Sequence, residues 1–147
     1  MRCGKSKTGG FSLVELTFAI GIAAFCLIAV FGLVPVGVQT NRNAISQMAA
    51  TNLITGVVAD LRATPKGSGT SSQFAITFGT DKTAYFDSAG QASTSLSDNS
   101  RYRLKITWSG SAELRYANLK VTWPAPVDPT TSTPGGSMEI FAAFDRN

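Results

Sequence analysis

The chain has no histidine and only two cysteines, and charged residues make up 15% of its 147 positions. Without histidine there is no Ser-His-Asp or Cys-His nucleophile system and no imidazole-ligated metal. The carboxylates are dispersed. The nearest groupings, Asp81 with Asp87 and Asp98 with Asn99, lie in turn-like sequence where solvated acids are expected, and no EF-hand loop gathers the oxygen ligands that calcium needs. Gly67, Gly69 and Gly79 have neither the spacing nor the lysine of a phosphate-binding loop. No constellation for catalysis is left, so a non-enzyme without cofactor or metal is expected.

The cysteines are equally restrictive. Cys3 sits in a short basic leader and Cys26 in an apolar stretch where no second thiol of the same chain reaches it, so the remaining residues are expected to fold without a disulfide. The formal charge of +4 invites a nucleic-acid reading, but three of the thirteen basic residues, Arg2, Lys5 and Lys7, precede residue 11. From residue 11 onward ten basic residues face nine acidic ones, a balance of +1 that argues against DNA or RNA as a partner.

What the chain does have is a long apolar run. From Phe11 to Val38 it is apolar or small apart from Ser12, Glu15 and Thr17, long enough as a helix to cross a hydrocarbon core of ~30 Å. An acid at the centre of such a helix costs roughly 2.5 to 3.5 kcal/mol; near one end, as here, the cost is smaller. Glu15 is thus either an interfacial acid that snorkels to water or one that meets a cationic partner once the helix leaves lipid. The basic leader, with no acid in it, places residues 1–10 on the cytoplasmic side and sends the remainder across. An ordinary secretory signal has its small-residue cleavage site after the apolar region. Here Gly9 and Gly10 come before it.

Gly10-Phe11-Ser12-Leu13-Val14-Glu15 resembles the processing motif of type IV prepilins and of type II secretion pseudopilins: a basic leader ending in Gly, then Phe, a few apolar residues, Glu and an apolar helix. The likeness covers about the first quarter of the chain. It implies that a prepilin peptidase cuts between Gly10 and Phe11 and methylates the amino group of Phe11, giving N-methylphenylalanine. It also implies that Glu15 meets the amino terminus of Phe11 in a neighbouring subunit, at an inner-membrane assembly platform. Many major pilins close a carboxy-terminal loop with a disulfide, and the lack of one here points to a minor pilin or pseudopilin. The segment from Tyr102 to Trp108 and the ending Leu119-Lys120-Val121-Thr122-Trp123-Pro124 are loosely similar to minor pilins of the pilus-modification type.

Further along, Ile45, Met48, Ala49, Leu53, Val57 and Leu61 recur at helical spacing, with Asn41, Arg42, Gln47, Asn52, Thr55 and Asp60 at other positions. One helix from about Ser12 to Leu61 would be ~75 Å long. Pro35, flanked by Gly32 and Gly37, predicts a kink or local melting, either tolerated in a membrane helix or used as a hinge. Pro65, Gly67 and Gly69 end the helix. Period-two patterns follow at Phe74, Ile76 and Phe78, at Ala84 to Asp87, at Arg101 to Trp108, at Ala117 to Trp123 and at Met138 to Phe144. Trp108 and Trp123 fall on apolar faces and read as core. Arg101, Arg103 and Lys105 form a basic stripe on the wet face, either solvated or a place for phosphate contacts. Gln91 to Ser100, rich in Ser with Asp98 and Asn99, reads as a loop, and Pro124 to Gly136, with four prolines, predicts an exposed semi-rigid excursion, either a subunit-contact or adhesive loop or a tolerated insertion.

The expected fold is α+β: a long N-terminal helix whose amphipathic second half covers a four- or five-stranded antiparallel sheet, the ladle of pilin-like folds. The expected organisation is a leader at 1–10, a membrane or fibre-core helix at 11–38, its amphipathic continuation at 39–62 and an exported head at 63–147. The expected function is that of a minor pilin or pseudopilin, single-pass in the inner membrane with its head in the periplasm, then part of a pilus or secretion pseudopilus fibre with other subunits. The alternative is a membrane-anchored extracytoplasmic module that binds a ligand or DNA.

Overall fold

A computed structural model describes residues 10–111 and 114–145. Expectations resting on Arg2, Cys3, Lys5, Lys7 and Gly9 lie outside the described residues. The elements are α1 (Leu13–Ala63), β1 (Lys82–Phe86), β2 (Ala92–Ser93), β3 (Tyr102–Gly110), β4 (Leu114–Trp123) and β5 (Gly136–Asp145). The chain divides into two units, Met1–Asn41 and Arg42–Asn147.

In the first unit α1 starts with a bond from the Leu16 amide to the Ser12 carbonyl (3.1 Å) and is helical without interruption through Pro35, so the local melting expected there is not seen. Two threonine hydroxyls are satisfied by the helix itself: Thr17 Oγ1 donates to the Val14 carbonyl (2.8 Å) and, just past the apolar stretch, Thr40 Oγ1 to that of Val36 (2.9 Å). Neither side chain then needs water.

The second unit is built on a five-stranded antiparallel sheet in the order β2-β1-β3-β4-β5. The alternation in β3 and β4 sets its register: Leu104 faces Val121 and Ile106 faces Leu119, and all four side chains are fully buried. Ala50, Ile54, Val57, Val58 and Leu61 of α1 join them in one core. Trp108 and Trp123 pack against that core as expected, Trp108 between Phe78 (centroids 5.3 Å apart) and Phe144 (5.7 Å).

Three expectations are corrected. The buried stripe of α1 is Ser46, Ala50, Ile54, Val57, Val58, Asp60 and Leu61, with Ala49 and Leu53 packed against it, so Ala49, Leu53, Val57 and Leu61 of the expected stripe face the core while Ile45 and Met48 are exposed and Asp60 is inside. Residues 74–78 form no strand, only an isolated bridge between Thr70 and Thr77. The Phe74 and Ile76 amides donate to the Asp60 and Ser71 side chains, the Phe78 amide donates to the Gly69 carbonyl, and Ala75 at φ 48° is left-handed backbone that a strand cannot contain. Residues 91–100, read as loop, contain the two-residue β2, which pairs with β1 across the Asp87–Gly90 turn. That turn is closed by Asp87 Oδ1 accepting from the Ala89 and Gln91 amides (2.9 and 2.8 Å) and by Gly90 at φ 81°.

Candidate functional site

Gly10 and Phe11 stand open. Phe11 is 86% exposed, and a Cβ added to Gly10 would meet nothing within 4 Å. Glu15, in the first turn of α1, is exposed and is the single charged residue between Phe11 and Asn41. At that end of a helix the unsatisfied amides favour a negative charge by about 0.3 to 1 kcal/mol. Beyond it every large apolar side chain as far as Val38 is exposed, from 47% at Val38 upward. That area is far larger than the few hundred Å² of contiguous apolar surface a soluble monomer carries. By length and composition α1 can cross a membrane. A core helix of a soluble protein meets the same criterion, but its apolar side chains would be covered. The proposed cleavage, methylation and assembly residues Gly10, Phe11 and Glu15 are thus neighbours at one helix end, whereas Pro35 lies more than five turns away.

In the Arg42–Asn147 unit two of the acids weighed as ligands, Asp81 and Asp87, are occupied with the main chain. Asp81 Oδ1 accepts from the Trp108 amide (2.9 Å), and Asp87 closes its own turn. Among the described residues no three His, Cys, Asp or Glu side chains are placed to hold a metal ion. A groove of about 330 Å³ runs between α1 and the Asp87 turn, lined by Asn52, Leu53, Gln73, Phe74 and Tyr102.

Two polar clusters escaped the sequence reading. In the first, Asp60 Oδ1 and Oδ2 accept from the amides of Gln73 (3.1 Å) and Phe74 (3.0 Å), with Ser72 Oγ at 3.4 Å. Burial pushes the Asp60 carboxyl up, but hydrogen bonds from Ser71, Phe74, Gln73 and Ser72 outweigh it and hold it below the usual carboxylate range.

The second cluster changes the reading of the basic stripe. Arg103 is not solvated: its side chain is 12% exposed, Nη1 lies 2.7 Å from Asp128 Oδ2, and its guanidinium sits 5.5 Å from the centre of the Tyr85 ring. Asp128 also accepts from the Thr130 amide (2.9 Å) and hydroxyl (2.7 Å), and the Ala125 amide donates to the Arg101 carbonyl (3.0 Å). The Pro124 to Gly136 excursion is therefore tied down at its start, with Ala125 fully buried. The Thr130 amide and hydroxyl, with Arg103, hold the Asp128 carboxyl down at about 2. A depressed carboxyl supports the tie fully above its ordinary value of 3.8 and loses it as pH falls through about 2. Hydrogen exchange at the Thr130 amide is expected to stay slow from neutral pH down to the ordinary carboxylate range and to accelerate only below it. Asp128→Asn should accelerate that exchange at neutral pH.

No protein-family model, no curated protein and no solved structure matches this chain.

Proposed function

We propose that this protein is a type IV pilin-like structural subunit, a minor pilin or pseudopilin, that is anchored by its apolar helix and assembled through it. The observation that carries this reading is an uncovered apolar helix with one carboxylate, Glu15, in its first turn, directly behind an open Gly10-Phe11 pair. An acid there is costly in lipid and useful in a helix bundle, where the cationic amino terminus of a neighbouring Phe11 can take the place of its water. In this reading the leader stays cytoplasmic, a prepilin peptidase removes it, and the head lies on the far side of the inner membrane until an assembly platform draws the subunit into a pilus or secretion pseudopilus. The helix and the sheet it partly covers then correspond to the pilin-like ladle. The role is structural rather than catalytic.

Processing tests the proposal. Mass spectrometry of the protein from membranes is expected to find a chain that begins at Phe11 with one added methyl group. An intact leader would remove the pilin reading and leave a membrane-tethered binding module.

A further inference from the structure

We infer that the groove between α1 and the Asp87 turn is a binding site for a neutral carbohydrate, a mono- or disaccharide unit presented free or at the end of a glycan. The groove encloses about 330 Å³ and lies wholly within the Arg42–Asn147 unit. That volume is at the small end of ligand pockets, which run from about 300 to 1,000 Å³. Tyr102 gives the first sign that it is built for an occupant. This side chain is 3% exposed, it lines the groove, and its hydroxyl makes no hydrogen bond among the described residues. A buried tyrosine hydroxyl ordinarily has a partner. Gly56 gives the second sign. It lies inside α1, where glycine is less stable than alanine, and its backbone is ordinary helix. A Cβ added there would meet nothing within 4 Å, so no neighbour in the chain calls for glycine. Close approach of a ligand to the helix backbone does.

The polar groups that remain available select the ligand class. Asn52 and Gln73 bring carboxamides, Ser88 and Tyr102 bring hydroxyls, and none of the four side chains has a hydrogen-bond partner among the described residues. Each of these groups both donates and accepts. So does every hydroxyl of a sugar ring, and two vicinal hydroxyls match the paired N–H and C=O of a carboxamide. The main chain around the groove is already engaged: the Gln73 and Phe74 amides donate to Asp60, that of Ala89 to Asp87 Oδ1 and that of Gly90 to the Asp87 carbonyl (3.3 Å). An extended peptide would need an open strand edge to join, and a helix and a closed turn provide none. Among the described residues no lysine or arginine lines the groove to hold a phosphate or carboxylate, and Asp87 is engaged in closing its own turn. Phe74 completes the site. Its ring is held against Phe86 (centroids 5.7 Å apart) and supplies an apolar wall for the C–H face of a pyranose.

Amide-resolved NMR of the full chain, purified in a detergent without a sugar headgroup, tests this with lactose, maltose, mannobiose and diacetylchitobiose as probes. At least one is expected to give saturable shifts centred on Gly56, Gln73, Ser88 and Gly90, with a dissociation constant of ~1 mM. Tyr102→Phe removes a hydroxyl that nothing in the described chain uses, so it should weaken that binding at least about fivefold and leave the melting temperature unchanged. Gly56→Leu fills the groove from its floor and should abolish the shifts without lowering the melting temperature. A methyl glycoside of the bound sugar that binds equally well assigns the site to the end of a glycan; one that fails to bind assigns it to a free sugar. No saturable shift in the groove from any of these probes at ~50 mM would overturn the inference. So would shifts that survive both substitutions, or tighter occupation of the groove by tetraalanine or by glucuronate than by every disaccharide.

Discussion

Glu15→Ala is expected to yield a chain that inserts in the membrane and is cut between Gly10 and Phe11, yet is absent from fibres. Two electrostatic effects act on this carboxylate, and their sizes differ. The end of its own helix favours it by less than about 1 kcal/mol, so its loss should leave α1 intact. A partner amino terminus in a dry helix bundle is a stronger interaction, and leaving one member of such a pair uncompensated costs roughly 3 to 5 kcal/mol. At 1.4 kcal/mol per factor of ten, that lowers the association constant by about a hundredfold or more. Glu15→Gln separates charge from bulk: it retains the volume and hydrogen-bonding capacity and should fail nearly as completely. Immunoblots of sheared fibres against membrane fractions provide the measurement. Wild-type incorporation of Glu15→Ala would mean that the acid snorkels to water and does nothing in assembly.

Asp60→Ala should unfold the head more readily than any surface substitution. The buried carboxylate is the acceptor for the Gln73 and Phe74 amides, and without it these donors have no partner in place. Hydrogen bonds to a charged group contribute roughly 1.5 to 3 kcal/mol each, and partial hydration of the loop would recover some of this, so a loss of about 2 to 4 kcal/mol is expected. For a unit of this size that lowers the melting temperature by on the order of 10 °C or more. The sign of the pH dependence follows from the lowered carboxyl. Its contribution is complete above the ordinary value of 3.8 and disappears as pH falls through the lower folded-state value. Denaturant titrations of wild type should therefore show a loss of stability on acidification below that point. Asp60→Asn should flatten the Asp60 part of that loss, and an unaltered acid slope in the variant would show that the carboxylate is not the anchor.

How much of this was readable in advance depended on whether the partners are neighbours in sequence. Gly10, Phe11 and Glu15 lie within one short stretch, and the strands β3 and β4 declare themselves because each alternates over many residues. Asp60 and Gln73 are 13 residues apart, and Arg103 and Asp128 are farther still, so no local pattern joins them. The aromatic alternation at Phe74, Ile76 and Phe78 is genuine, yet it reports side chains entering the core from a loop. Ser71, Asp60 and Lys82 supply the hydrogen bonds that a neighbouring strand would otherwise make. The start of the helical stripe, and Asp60 within it, were misread for a different reason. Ile45 and Met48 are as apolar as core residues but remain exposed, and Ser46 and Asp60 are buried. Hydropathy alone ranks those four in the wrong order.

The order of elements along the chain has a kinetic consequence. Apart from the short β2 excursion, each strand pairs with the one that follows it in sequence, a meander of low contact order that can zip up quickly through short loops. The helical stripe that completes its core, Ala50 to Leu61, is synthesised before any strand exists to receive it. During synthesis that stripe must wait, wetted and available to other chains, until β3 and β4 arrive more than forty residues later. The vulnerable period for this protein is the interval between the emergence of Leu61 and that of Trp123, when a chaperone or the membrane surface would do the most to keep it from aggregating.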